Sequence, residues 1–155
     1  MERRRTTFFV ALVVALLVAS LGLAGNAVAG VEKPHGGKPL TATLTGDAEV
    51  PGPGDDDGTG TARVTLNPGQ RQVCWEIEVE NIAPATRAHI HQGAAGVAGG
   101  IVVSFFEPDT SGMLSGCTED VDRDLIKDII QNPENYYVNV HNAEFLAGAI
   151  RGQLG

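Results

Sequence analysis

Residues 72–79 limit the possible folds more than any other stretch of the chain. Val73, Trp75, Ile77 and Val79 alternate with Cys74, Glu76, Glu78 and Glu80. A period of two puts successive side chains on opposite faces of an extended strand, so one face meets a core and the other meets water. Six further runs have the same short β-type chemistry, at residues 40–44, 61–66, 88–91, 101–106, 136–141 and 149–154, each bounded by Gly, Pro, Asn or Asp. Seven such strands separated by turn signals predict an all-β domain, a Greek-key-like β-sandwich of about seven or more strands. The exception is the stretch 122–131. There Val121, Leu125, Ile129 and Ile130 recur at helical spacing, with Asp122 in front and Pro133 behind. This predicts one short helix in a crossing loop, its apolar side against the sandwich.

The first 29 residues do not belong to that domain. Arg3, Arg4 and Arg5 precede an apolar stretch from Phe8 to Ala24, and Ala27-Val28-Ala29 has the small-x-small form that signal peptidase needs. Residues 1–29 are therefore expected to be a secretion signal whose removal leaves Gly30 first. The residue directly after the cut is Gly30 and not a cysteine, so a released, extracellular product is expected rather than a lipid-anchored one. Residues 30–39 are rich in Gly, Pro and Lys around His35 and read as a flexible lead-in. The domain proper is expected over residues 40–155.

Cleavage removes one of the 19 acidic and three of the 11 basic residues, leaving 18 against 8. Such a chain has no basic patch for phosphate, which disfavours nucleic acid and anionic membrane surfaces as partners. The cysteines are two, Cys74 and Cys117. In an oxidising compartment, and without C-x-x-C spacing, they are expected to form a structural disulfide. Parity puts Cys74 on the outer face of its strand, so Cys117 is expected to approach from a loop crossing that sheet, with Ser115-Gly116 as a turn. The run Asp55-Asp56-Asp57-Gly58 lacks the alternating carboxylates and distal Glu of a helix-loop-helix calcium site and reads as a solvated loop.

Three further stretches, taken in order, carry a family resemblance: Leu44-Thr45-Gly46-Asp47-Ala48-Glu49-Val50-Pro51, then Ala88-His89-Ile90-His91-Gln92-Gly93, then Tyr137-Val138-Asn139-Val140-His141-Asn142 with Gly148-Ala149-Ile150-Arg151-Gly152-Gln153-Leu154. Together they resemble the chordin-type CHRD domain over residues 40–154. The chain departs from the family pattern in having Pro51-Gly52 where two prolines are frequent, and Asn142 where Thr is. The resemblance implies an exported β-sandwich module and no particular activity.

The residues of those motifs suggest chemistry of their own. His89 and His91 stand two apart on one strand, so both rings project from the same face while Ile90 points the other way. The same parity separates Val138 and Val140 from Tyr137, Asn139 and His141. If the valines face the core, His89, His91 and His141 lie outside it, and three imidazoles from two strands are a common way to hold copper or zinc. The alternative is a hydrogen-bonded polar cluster of the histidines with Glu49, Asn139 and Arg151, holding no ion. His-x-His on a sandwich strand also looks like copper-zinc superoxide dismutase, but that chemistry needs more imidazoles than these. No G-x-S-x-G elbow occurs, and the Gly-rich stretch 93–100 joins two strands instead of opening a helix. The expectation is a non-enzymatic, secreted module with no required cofactor, binding a protein or a cell-wall polymer. A copper- or zinc-binding protein is the alternative.

Overall fold

The computed structural model describes residues 36–105 and 113–155. The expected signal, the lead-in up to His35, and the Phe106 end of the fifth expected strand lie outside the described residues. The chain forms β1 (Lys38–Thr45), β2 (Thr59–Asn67), β3 (Gln72–Glu80), β4 (Ala85–Gln92), β5 (Ile101–Ser104), β6 (Met113–Thr118), α1 (Arg123–Gln131), β7 (Tyr136–Asn142) and β8 (Ile150–Gln153). The all-β class with one short helix is as the sequence predicts. β1 starts at Lys38, two residues before the Leu40 from which the first strand was expected.

The strands run antiparallel in one sheet of order β5-β4-β7-β8-β1-β2-β3-β6. β1 and β2 pair along their length from Lys38↔Leu66 to Thr45↔Thr59, whereas β1 meets β8 in register only at Thr45↔Arg151. The sheet is narrow at that junction, which divides it into two four-stranded halves, the layers β5-β4-β7-β8 and β1-β2-β3-β6. Their far edges approach again, because Thr118 Oγ1 donates to the Ser104 carbonyl at 2.7 Å and Trp75 stacks on Phe105 with centroids 4.6 Å apart. The result is nearly a barrel. Leu40, Leu44, Val64, Leu66, Val73 and Ile77 of one layer and Ile90, Val103, Val138, Val140 and Ile150 of the other form the shared core.

β6 is a strand that sequence periodicity does not announce. Cys117 does not come from a loop crossing the sheet. It lies on β6, the edge neighbour of β3, directly opposite Cys74, and the two form a disulfide with Cα atoms 3.9 Å apart. Ser115-Gly116 is correspondingly no turn. Gly116 pairs with Trp75, and a Cβ there would stand 2.8 Å from the indole, so the glycine clears room for the ring.

α1 carries the chain from β6 back to β7. Asp122 caps it, its carboxylate accepting from the Asp124 and Leu125 backbone N–H groups at 2.8 and 2.9 Å. Those bonds hold the Asp122 carboxyl below its usual value. Ile126 and Ile129 are fully buried against the sheets, with Leu125 and Ile130 partly so. Complete burial of each isoleucine is worth about 2 kcal/mol relative to exposure. Behind the helix, the Asp128 carboxylate accepts from the Tyr136 hydroxyl, tying α1 to the first residue of β7. Burial, and then that carboxylate, push the Tyr136 hydroxyl up to about 12.

Candidate functional site

The two layers treat their outer faces differently. In β1 and β2 burial alternates, with Thr41, Thr43, Thr61 and Arg63 exposed between core residues. In β7 every residue is buried, and in β4 His89 and His91 are largely withdrawn from water on either side of the fully buried Ile90. The outer face of β4–β7–β8 is polar in sequence yet withdrawn from water, because the loops 46–58, 93–100 and 143–149 fold over it. A buried polar group without a partner costs on the order of 1–3 kcal/mol, so the bonds under this roof hold both the loops and the face.

Cross-strand register orders the layer. His89 lies opposite Asn139, which lies opposite Arg151; His91 lies opposite Tyr137, which lies opposite Gln153. Arg151 is 1% exposed and sits 3.4 Å from the centroid of the Tyr137 ring. The His91 ring stacks on Tyr137, 4.8 Å between centroids and 9° from parallel. β4 and β8 flank β7 on opposite sides, so Tyr137 is held between an imidazole and a guanidinium, an arrangement suited to cation–π attraction. Arg151 Nη2 donates to the Ala94 carbonyl at 3.0 Å and Gln153 Nε2 to the Gly93 carbonyl at 3.0 Å, closing the 93–100 loop over the sheet.

Glu49 comes from the loop after β1 and reaches Asn139, whose Nδ2 donates to both carboxylate oxygens at 2.8 and 2.9 Å. Burial pushes the Glu49 carboxyl up to about 7, although Arg151, the Val50 backbone N–H and Asn139 all favour the ionised form. Gly148 closes the pocket with φ +151, and a Cβ there would fall 2.4 Å from Glu49 Oε2.

The histidines converge beside this cluster. His89 Nδ1 lies 3.2 Å from His141 Nε2, and one ring nitrogen from each of His89, His91 and His141 falls within 4.8 Å of the other two. Two backbone carbonyls set the tautomers. A carbonyl only accepts, so His91 Nδ1–H donates to Gly99 O at 3.0 Å and His141 Nδ1–H to Leu146 O at 3.1 Å. Both Nε2 atoms therefore carry lone pairs. That of His141 faces His89, and that of His91 is buried with no hydrogen-bond partner. Burial, more than their neighbours' charge, holds all three imidazoles below their ordinary value, His89 at about 4, so they are neutral at pH 7.

The structure thus gathers every candidate site residue read from the sequence: His89, His91 and His141 in one group, and Glu49, Asn139 and Arg151 in the adjoining one. The Glu49 carboxylate is engaged by Asn139 within the adjoining group. Arg151 bonds to the 93–100 loop, and its influence on Glu49 is through charge. Tyr137, Gln153 and the carbonyls of Gly99 and Leu146 were not legible as site groups. Parity placed Tyr137 on the same face as Asn139 and His141, and that was its only signal. The Asp55–Asp57 run is not wholly solvated: Asp55 is buried and its backbone N–H donates to Ala149 O at 2.8 Å, while Asp56 and Asp57 are exposed.

Comparison with known proteins bears on the whole domain rather than on this cluster. The CHRD domain family matches residues 40–154. No curated protein matches the chain.

Proposed function

The chain belongs to the CHRD domain family, and from that premise we propose that it is an exported, non-enzymatic binding module whose roofing loops engage a protein or a cell-wall polymer. The observation that carries the reading is the surface around the histidines. Val97, Ile101 and Leu146 are 52, 53 and 67% exposed, the large apolar side chains that stand out from the surface among the described residues. All three flank the same place: Ile101 pairs with His91, Val97 lies in the loop that binds His91, and the Leu146 carbonyl binds His141. Apolar groups gathered over a base held by cross-strand and loop hydrogen bonds are what a recognition surface requires. The acidic balance of 19 against 11 argues against nucleic acid and anionic lipid as the partner. The disulfide and the signal-like first 29 residues support export.

Recovery of the secreted protein with Gly30 as its first residue tests the export. Co-sedimentation of that protein with purified cell-wall polymer, and cross-linking to surface proteins of intact cells, test the binding. A Val97→Asp/Leu146→Asp variant leaves the buried polar layer in place and is expected to weaken binding at least tenfold. A hydrolytic or redox turnover abolished by His89→Ala or His141→Ala would overturn the reading.

A further inference from the structure

We propose that His89 Nδ1, His91 Nε2 and His141 Nε2 form a binding site for one transition-metal ion, copper(II) more tightly than zinc(II). The proposal is independent of whether the loops bind a partner.

Geometry is the first support. Metal–imidazole bonds of about 2.0–2.1 Å place ligand nitrogens roughly 3.3–3.6 Å apart in tetrahedral or trigonal arrangements. The His89–His141 pair, at 3.2 Å, lies just short of that spacing, and His91 completes a group spread over no more than 4.8 Å. A closure of roughly 1 Å by the His91 side chain, near the end of β4, brings in the third nitrogen. All three ligands stand on the paired strands β4 and β7, so little ordering is left for the ion to impose.

The second support is independent of spacing. His91 is 9% exposed, and its Nε2 is the one imidazole nitrogen among four buried side-chain atoms without a hydrogen-bond partner among the described residues, the others being Asn139 Oδ1, Asn142 Nδ2 and Arg151 Nη1. It is the nitrogen left free once Gly99 O has taken the Nδ1 proton. Carbonyls bonded to the far nitrogen of a ligating histidine fix its tautomer and orient its lone pair, and here two of three histidines have that support from separate loops. His89 donates its Nδ1 proton to His141 without an ion, and a shift of that proton to its own Nε2 frees Nδ1 for coordination with no net proton change. Three neutral imidazoles without thiolate or carboxylate suit copper and zinc rather than calcium or magnesium, and copper(II) exceeds zinc(II) for nitrogen donors generally.

The competing place for a cation is the Asp55–Asp57 run. Hydrogen bonding within that loop needs no ion, and its oxygen donors would give a different spectroscopic signature.

The test uses the tag-free secreted protein, stripped of metal with a chelator and titrated calorimetrically with copper(II) and with zinc(II). The expected result is one equivalent of copper bound at micromolar or tighter affinity, with zinc at least tenfold weaker. Electron paramagnetic resonance of the copper form is expected to show hyperfine coupling to three nitrogens. His91→Ala removes a ligand that bonds to neither other histidine, and is expected to weaken copper at least 100-fold; Asp55→Asn and His35→Ala are expected to change it less than threefold. Binding no tighter than millimolar, a spectrum with oxygen ligands only, or unchanged affinity in His91→Ala would overturn the site. The nitrogen count on the unaltered protein decides the matter even if His91→Ala does not fold.

Discussion

Removing the Cys74–Cys117 bridge should destabilise the domain by an amount set by chain length, and should do so from one edge. The two cysteines are 43 residues apart in sequence. Closing a loop of that size removes unfolded-state entropy worth about 4 kcal/mol at 25 °C in the chain-entropy treatment. For a domain of this size, with about 2 cal/mol/K of unfolding entropy per residue, that corresponds to a fall in Tm of about 15 °C. The bridge joins β3 to β6, and among the described residues β6 is the edge strand beyond β3, with the Thr118 hydroxyl also donating to the Ser104 carbonyl of β5. Reduction should therefore open residues 113–118 before the interior strands β1 and β2. Urea denaturation of the oxidised protein, the reduced protein and a Cys74→Ser/Cys117→Ser variant gives the free energy, and native-state hydrogen exchange gives the order of opening. The reduced protein and the variant should agree with each other. A loss under about 1 kcal/mol, or β1–β2 amides losing protection before those of β6, would refute this reasoning.

Three other outcomes follow from the polar layer. Arg151→Met should cost about 3 kcal/mol in denaturant unfolding, because it strips one of the bonds holding the 93–100 loop, leaves the Gln153 Oε1 and the Ala94 carbonyl short of a partner and removes the guanidinium from the Tyr137 ring; it should also raise the Glu49 carboxyl further, since Arg151 now holds it down. Glu49 binds its proton more tightly folded, at about 7, than its ordinary 4.5, so its contribution is full below about pH 4.5 and lost as pH rises through 7. The buried histidines act in the opposite sense, their contribution being lost as pH falls below 6.5. Glu49→Gln should therefore abolish the Glu49 slope and leave unfolding midpoints rising from pH 4.5 to 7. Gly148→Ala meets both an unfavourable φ of +151 and the Glu49 carboxylate at 2.4 Å, and thermal melting should show a loss of about 2 kcal/mol or more.

Much of this domain was legible residue by residue, because it depends on local periodicity. The alternation around Trp75 determined which face of β3 meets the core, and the His-x-His and Tyr-Val-Asn-Val-His patterns determined that three histidines leave the apolar core on one side. The spacing from Asp122 to Gln131 determined a capped helix, and the lone pair of cysteines determined a bridge. What stayed hidden depended on distant parts of the chain. β6 escaped notice because Ser115-Gly116 has turn chemistry, and only the Trp75 ring opposite explains a glycine in mid-strand. Parity told which way the histidines point but not that they are withdrawn from water, since that depends on loops many residues away folding over β4, β7 and β8. Likewise, no spacing in the sequence brings Glu49 to Asn139, 90 residues on, or turns the Gly99 and Leu146 carbonyls toward His91 and His141. Side-chain direction is a property of the backbone repeat, whereas burial and lone-pair orientation belong to whatever packs above it, and that was decided by the tertiary structure alone.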